Sequence, residues 1–228
     1  MASRARTDGR ATARARSLVE PIGPAAEPFR TLRVALDLVP DSRRGNIMLF
    51  TSADPAEGKS TIAANYSLVS AINNRRVLLV DADLRSSVQH EIFGIPRSPG
   101  LTEVIFSRLE LHPLTQPIRG IPGLHVLTSG MPAPRAGWDV TASDAVRDLL
   151  TKASGEYDIV AIDTPPVLAA ADASHLAAHP NVNVVFVVNK KEGSRRVSRA
   201  IAKLELVGAN LVGFVVNREG SLSEYGYS

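Results

Sequence analysis

The chain has 228 residues, of which 44% are hydrophobic and 21% are charged, and it contains no cysteine. This composition is ordinary for a globular protein of one domain, and it excludes wholesale disorder, collagen and coiled coil. The lack of cysteine excludes disulfide bonds, thiolate zinc sites, iron–sulfur clusters and a cysteine nucleophile. No segment approaches the run of about 20 apolar residues that a membrane-spanning helix needs.

The positive charge of the chain is concentrated at its start. Five arginines and one aspartate give residues 1–17 a net charge of +4, so the remaining chain sums to −1. This low-complexity segment is typical of a solvated flexible tail. Alternatively, its charge would attract it to anionic lipid headgroups or to an acidic segment of a membrane partner. The near-neutral body predicts no specific nucleic-acid binding.

We expect three regions along the chain. Residues 1–25 are predicted to form a basic tail and linker, residues 26–220 one nucleotide-binding domain, and residues 221–228 a flexible tail that contains tyrosines. A helix is predicted at the start of the domain, where Pro28 suits a first helical turn. Glu27, Arg30 and Arg33 are spaced by three and lie on one face of it. Its apolar stripe is predicted at Phe29, Leu32, Leu36 and Val39.

The body of the domain alternates short apolar runs with helical stretches. Because most of these runs are apolar without alternation, they predict strands buried on both faces, as in a parallel sheet covered by helices. We therefore predict an α/β fold with a doubly wound, mostly parallel sheet and helices on both faces. The predicted strands are Ile47–Thr51, Val77–Val80, Leu124–Leu127, Ile159–Ile162, Val184–Val188 and Leu211–Val216. The predicted helices cover about 59–73, 86–93, 100–106, 141–153, 171–179 and 195–207.

A phosphate-binding loop is predicted between the first strand and the following helix. The spacing follows the Walker A pattern, with Ala53 in the position of the first glycine. Gly58 allows close backbone approach, Lys59 reaches the β and γ phosphates, and the Ser60 hydroxyl can bind Mg²⁺. The alternative is a plain strand-to-helix turn. The predicted nucleotide-binding residues are Ala53, Asp54, Pro55, Ala56, Glu57, Gly58, Lys59, Ser60 and Thr61.

Two further strands end in aspartates. Asp81 and Asp83 follow the second predicted strand, and Asp163 follows the fourth. The carboxyl ends of strands in a doubly wound sheet form the ligand crevice, so these carboxylates are expected to meet the phosphate loop. Mg²⁺ is usually held by one or two carboxylates together with phosphates and water. An aspartate at such a position can instead cap the following helix.

These motifs together resemble the bacterial tyrosine kinase (BY-kinase) family, the cytoplasmic kinases of capsular and exopolysaccharide export systems. The similarity extends over residues 26–228, and its three main motifs are named Walker A, A′ and B. The matching segments are Ala53–Thr61, Val77–Arg85 with His90 and Phe93, and Asp163–Pro166. Further similarity lies in Gly100–Thr102, Asp172–Ala173, Gly213–Asn217 and the Glu27-x-x-Arg30-x-x-Arg33 helix.

The resemblance implies an ATP-dependent protein-tyrosine autokinase that regulates polysaccharide synthesis or export with Mg²⁺. Its expected catalytic residues are Lys59, Asp81 and Asp83. We expect Asp83 to accept the proton of the tyrosine hydroxyl, with Asp81 as the alternative. The expected metal-binding residues are Ser60, Asp81 and Asp163. By similarity to related ATPases, Asn217 contacts the adenine, although a turn-forming asparagine would also fit this position.

The resemblance also implies partners. Glu27, Arg30 and Arg33 are expected to mediate ring-like self-association, and a membrane-anchored activator of polysaccharide export would bring the protein to the inner face of the plasma membrane, on the cytoplasmic side. Family members usually end in several tyrosines, whereas this chain offers Tyr225 and Tyr227 for autophosphorylation.

Two other functions remain open at this point. A tail with few tyrosines would also suit a non-kinase, ATP-binding assembly switch of the polysaccharide machinery. A positioning ATPase of the chromosome-partitioning or septum-placement type shares the expected fold. Such proteins typically carry a second lysine early in the phosphate loop, and residues 53–57 contain none.

Overall fold

A computed structural model describes residues 18–38, 45–107, 111–132, 143–189 and 193–217. Within these residues, seven strands form one sheet and seven α-helices surround it, with short 3₁₀ turns at Pro24–Ala26 and His112–Leu114. The strands are β1 (Ile47–Ser52), β2 (Val77–Asp81), β3 (Gln116–Pro117), β4 (Leu124–Leu127), β5 (Ile159–Asp163), β6 (Val182–Asn189) and β7 (Asn210–Asn217). The helices are α1 (Glu27–Asp37), α2 (Lys59–Ile72), α3 (Gln89–Phe93), α4 (Leu101–Ser107), α5 (Asp144–Glu156), α6 (Asp172–Ala177) and α7 (Ser194–Leu206).

The strand order is β3-β4-β2-β5-β1-β6-β7, and only the β3–β4 pair is antiparallel. β1 lies between β5 and β6, and β2 lies on the other side of β5. The register aligns Phe50 and Asp81 with Asp163 across the three strands β1, β5 and β2. The carboxyl ends of these strands therefore meet at one edge, which is where ligands bind in doubly wound sheets.

Two apolar cores cover the two faces of the sheet. One contains Leu49, Ile162 and Phe186 together with residues of α4 to α7, and the other contains Phe50 and Leu79 together with residues of α1 and α2. Because successive side chains of a strand point to opposite faces, each buried strand contributes to both cores. This explains why β1, β2 and β5 are apolar without alternation.

The predicted α/β fold with a mostly parallel sheet is confirmed. All six predicted strands are present, and the additional strand β3 was missed because two residues, one of them proline, show no strand pattern. The predicted helix over 86–93 begins instead at Gln89, and residues 86–88 lie in the loop between β2 and α3. Of the predicted apolar stripe on α1, Phe29, Leu32 and Leu36 pack into the second core, and Val39 lies outside the described residues.

No helix in the described part of the chain is long and apolar enough to cross a membrane. The basic segment of residues 1–17 and the C-terminal segment of residues 218–228 lie outside the described residues, so the predicted tails stay predictions.

Candidate nucleotide-binding and phosphate-transfer site

The phosphate loop runs from the end of β1 to the start of α2. Gly58 has a φ of +96°, a backbone conformation that residues other than glycine rarely adopt. A Cβ atom added at this position would lie 2.1 Å from Asn217 Nδ2. Asn217 donates this amide to the carbonyl oxygen of Glu57 at 2.7 Å. The Glu57 carboxylate in turn accepts the Asp54 backbone N–H at 3.2 Å. The loop is therefore held by its own residues and by the end of β7.

Lys59 is the cation of the site. Its Nζ lies 3.0 Å from Asp83 Oδ2, 3.9 Å from Asp163 Oδ1 and 3.4 Å from the Ser60 hydroxyl oxygen. Burial alone would lower the pKa of Lys59, but the carboxylates of Asp163 and Asp83 outweigh it, so the pKa is raised above its ordinary value of 10.5. The side chain therefore carries a full positive charge at neutral pH.

Asp81, the last residue of β2, and Asp83 each use one carboxylate oxygen to organise the segment before α3. Asp81 Oδ2 accepts hydrogen bonds from the Ser87 hydroxyl at 2.9 Å and from the backbone N–H of Gln89 at 3.0 Å. Asp83 Oδ1 accepts the Ser86 backbone N–H at 2.9 Å, which leaves Oδ2 for Lys59. Capping and cleft contacts thus coexist in the same side chains, and the capping bonds explain why α3 begins later than predicted.

Burial also changes the protonation of this group. Desolvation raises the pKa of Asp81 from its ordinary value of 3.8 to about 7, and the neighbouring charge of Asp163 adds to the effect. The pKa of Asp163 is raised mainly by burial, although Lys59 counteracts this. A cation bound between these carboxylates would favour their ionised forms.

Gln89 connects three of the motifs, although no sequence pattern marks it. Its backbone N–H contacts Asp81, and its side-chain Nε2 donates to the Ser60 carbonyl oxygen at 3.1 Å and to Asp163 Oδ2 at 2.8 Å. The side chain is fully buried. A glutamine at the start of a short helix looks like any surface helix residue in the sequence, because its role depends on the packing of α3 against α2 and β5.

The residues at this edge fit a hydrated magnesium ion. Among the described residues, no hydrogen-bond donor reaches the buried oxygens Asp81 Oδ1, Asp163 Oδ1 and Gln89 Oε1. Buried acceptors of this kind need a cation or a water molecule. The described part of the chain contains no group of three or more histidine or acidic residues that could hold a metal ion alone. A magnesium ion here would therefore share its ligands with phosphate oxygens and water.

A cleft of about 480 Å³ opens above the phosphate loop. Its lining combines the polar residues Lys59, Ser60 and Asp83 with the apolar residues Val88, Ile92, Pro165 and Ala169. Arg85 lies at its rim, 3.7 Å from Asp172 at the start of α6. The cleft can thus take a polyphosphate on its charged side and an apolar group beside it.

A second contact missed in the sequence ties α7 to the phosphate loop. Arg196 donates from Nε and Nη2 to the two carboxylate oxygens of Asp54, which is a two-point ion pair. The two residues are 142 positions apart, so only the tertiary structure brings them together.

The structure places the other predicted site residues as follows. Asn217 braces the phosphate loop, and its predicted contact with adenine stays a prediction. Arg30 pairs with Glu27 at 2.7 Å and donates to the Pro21 carbonyl at 2.8 Å, while Arg33 pairs with Asp37 at 2.8 Å. These α1 residues are not among those that line the cleft. Tyr225 and Tyr227 lie outside the described residues.

The fold and the loop geometry define a P-loop nucleotide-binding domain, and a family comparison agrees. The model of the CobQ/CobB/MinD/ParA nucleotide binding domain matches residues 49–226. The structure of the MinD cell division protein of Aquifex aeolicus shares the fold, with a TM-score of 0.62 and 24% identity over 77% of this chain and 70% of that one.

The similarity to tyrosine kinases is greater. The chain is 34% identical to the tyrosine-protein kinase YwqD of Bacillus subtilis over 92% of its own length and 89% of YwqD. It is 31% identical to the tyrosine-protein kinase Etk of Escherichia coli over 86% of its length but only 27% of Etk. The chain belongs to the bacterial tyrosine-protein kinase family.

Two further solved structures have the same fold. The structure of the chimerical protein CapA2B2 has a TM-score of 0.82 and 34% identity over 90% of this chain and 91% of that one. The kinase domain of Escherichia coli ETK has a TM-score of 0.80 and 30% identity over 93% of this chain and 84% of that one. The family predicted from the sequence motifs is therefore confirmed.

Proposed function

We propose that the protein is an ATP-dependent tyrosine autokinase that transfers the γ-phosphoryl group of ATP to Tyr225 and Tyr227 of its own C-terminal segment. The observation that carries the proposal is the 3.0 Å pair of Lys59 and Asp83 beside the phosphate loop. It places the cation that would bind phosphate next to the carboxylate that would accept a proton. The kinase names of relatives that match most of the chain support this reaction class.

The choice of acceptor tyrosines follows from burial. The chain has four tyrosines. Tyr66 and Tyr157 lie in the cores with 1% and 7% of their surface exposed, so neither hydroxyl can enter a cleft without unfolding. This argument leaves Tyr225 and Tyr227 as the acceptors.

In the proposed reaction, the phenol oxygen bonds to the γ-phosphorus while the bond from that phosphorus to the bridging oxygen of ADP breaks. Lys59 offsets the negative charge of the phosphate oxygens, and the backbone N–H groups of the phosphate loop bind them. The phenol proton passes to Asp83. A phenol has a pKa of about 10, so a nearby carboxylate helps when the proton leaves late in the transfer.

Ser60, Asp81 and Asp163 would hold Mg²⁺, which neutralises phosphate charge and orients the γ-phosphoryl group when bound. The buried oxygens of Asp81 and Asp163 that lack a hydrogen-bond donor support this assignment. The adenine contact of Asn217 is part of the same proposal.

We further propose that the protein works in polysaccharide synthesis or export together with a membrane-anchored activator, at the inner face of the plasma membrane. Self-association through Glu27, Arg30 and Arg33 on α1 would carry one subunit's C-terminal segment to a neighbour's cleft. The exposed apolar side chains of Val34 and Leu38 beside this face support an interface there. The three regions 1–25, 26–220 and 221–228 stay part of this proposal.

The test is phosphotyrosine mapping by mass spectrometry after incubation with Mg-ATP, with and without the cytoplasmic segment of a candidate activator. Lys59→Met is the inactive control, and its circular dichroism and thermal unfolding should show that it is folded. We expect phosphate on Tyr225 or Tyr227 of the unmodified protein and none in the control. ATP hydrolysis without phosphotyrosine in either condition would contradict the autokinase proposal and favour the assembly switch.

A further inference from the structure

The surroundings of Gln89 allow only one orientation of its side-chain amide. Both neighbours of its Nε2, the Ser60 carbonyl oxygen at 3.1 Å and Asp163 Oδ2 at 2.8 Å, are hydrogen-bond acceptors. Only the NH₂ end of the amide can satisfy them, so the carbonyl end points elsewhere. That carbonyl oxygen is buried, and no donor within the described ranges of the chain reaches it.

The two carboxylates that Gln89 contacts each have a buried oxygen of the same kind. Gln89 contacts both Asp81 and Asp163 directly, and each of these carboxylates also has one buried oxygen that accepts no hydrogen bond from the described residues. A buried acceptor without a donor is energetically unfavourable. Three such acceptors on touching residues are explained by a donor that the protein does not supply itself.

A hydrated magnesium ion supplies such donors, because the water molecules bound to it are strong hydrogen-bond donors and Mg²⁺ retains several of them. We propose that Gln89 is a positioning residue of the site. Its NH₂ group fixes Asp163 against the phosphate loop, and its Oε1 accepts a hydrogen bond from metal-bound water. The inference rests on the proposed nucleotide and magnesium site, and it does not depend on the phosphorylation of tyrosine.

The matched variants are Gln89→Met, Gln89→Asn and Gln116→Met. Methionine keeps the size of the glutamine side chain and removes its donor and acceptor groups. Asparagine keeps the amide and shortens the side chain by one methylene. Gln116 is the only other glutamine of the sequence and also donates its Nε2 to a backbone carbonyl, that of Pro96 at 2.8 Å, outside the cleft.

The measurement is binding of Mn²⁺, as a spectroscopic substitute for Mg²⁺, to the full chain saturated with ADP, followed by electron paramagnetic resonance. Binding of ADP without metal is measured by calorimetry on the same samples. We expect Gln89→Met to weaken Mn²⁺ affinity at least tenfold, the usual effect of removing a group that orients metal ligands. Its metal-free ADP affinity should change less than threefold, and Gln116→Met should match the unmodified protein in both.

Unchanged Mn²⁺ affinity in Gln89→Met would overturn the proposal. So would an equal loss of Mn²⁺ and metal-free ADP affinity, because that would show a general collapse of the phosphate loop. If Gln89→Met does not fold, Gln89→Asn decides, since its amide is one methylene too short to contact the Ser60 carbonyl oxygen and Asp163 together. This variant should also bind Mn²⁺ at least tenfold worse, and unchanged Mn²⁺ affinity in it would overturn the proposal. A protein that binds Mn²⁺ and ADP but forms no phosphotyrosine would contradict the proposed function and leave this inference standing.

Discussion

The side-chain amide of Asn217 donates to the carbonyl oxygen of Glu57 at 2.7 Å, so the last residue of the edge strand β7 holds the phosphate loop from outside. The same amide blocks the space in which a side chain at position 58 would lie. The first and the last strand in chain order, β1 and β7, therefore both hold the phosphate loop.

Gly58→Ala should lose nucleotide binding. The added Cβ would lie 2.1 Å from Asn217 Nδ2 at a φ that alanine disfavours, so the loop must move. We expect ADP affinity, measured by calorimetry, to fall more than tenfold. Gly155→Ala on α5 is the control, because nothing lies within 4 Å of its added Cβ, and it should bind ADP normally. Normal ADP binding by Gly58→Ala would contradict the loop geometry.

The Arg196–Asp54 ion pair should support the phosphate loop modestly. The pair is partly exposed and screened by solvent, so we expect its loss to change ADP affinity by no more than about fivefold. Arg196→Ala and Asp54→Ala should each weaken ADP binding by about this factor, and the loss should shrink at high salt. The double variant should be no worse than either single one. Additive losses would show that the two residues act independently.

The raised pKa of Asp81 predicts how stability varies with pH. The folded state holds this proton up to a pH of about 7, whereas the unfolded chain loses it near 3.8. The nucleotide-free protein therefore loses stability as the pH rises through this window, by up to about 4 kcal/mol from this group. Urea unfolding at pH 5 and at pH 8 should show that Asp81→Asn loses less free energy of unfolding between these two pH values than the unmodified protein does.

Other groups also titrate in this range, such as His90 and His179, whose pKa values are lowered by burial. Their contributions to the pH dependence are the same in the unmodified protein and in Asp81→Asn, so the difference between the two reports on Asp81. Asp144→Asn, an exposed carboxylate on α5, is the control and should keep the pH dependence of the unmodified protein. Equal pH dependence in Asp81→Asn and the unmodified protein would refute the assignment of this proton to Asp81.

Replacing Glu27, Arg30 and Arg33 together with alanine should convert large assemblies to monomers. Within one chain these residues form exposed pairs along α1, so their loss should cost little stability. Arg147→Ala, which breaks a similar exposed pair with Asp144 on α5, is the control and should leave assembly unchanged. Light scattering measures the size distribution, and an unchanged distribution in the triple variant would refute the interface.

The parts of the site that could be predicted are those whose position follows from the sheet. Lys59, Asp81 and Asp163 each stand directly at a strand or helix boundary, and the convergence of parallel strand ends brings them together. Gln89 and Arg196 could not be predicted, because each reaches its partner across 74 and 142 residues through helix packing that no local pattern encodes. Strand β3 was missed because its two residues are too few to show a strand pattern.

In the proposed reaction, the pairing of Lys59 with Asp83 would set the order in which the substrates bind. While the pair is formed, the ammonium group engages Asp83 Oδ2, the oxygen that would accept the tyrosine proton. The negative charges of a bound triphosphate would attract Lys59 and weaken its pairing with the carboxylate. A tyrosine that binds before ATP would meet a carboxylate oxygen engaged by Lys59, whereas one that binds after ATP would meet a free oxygen.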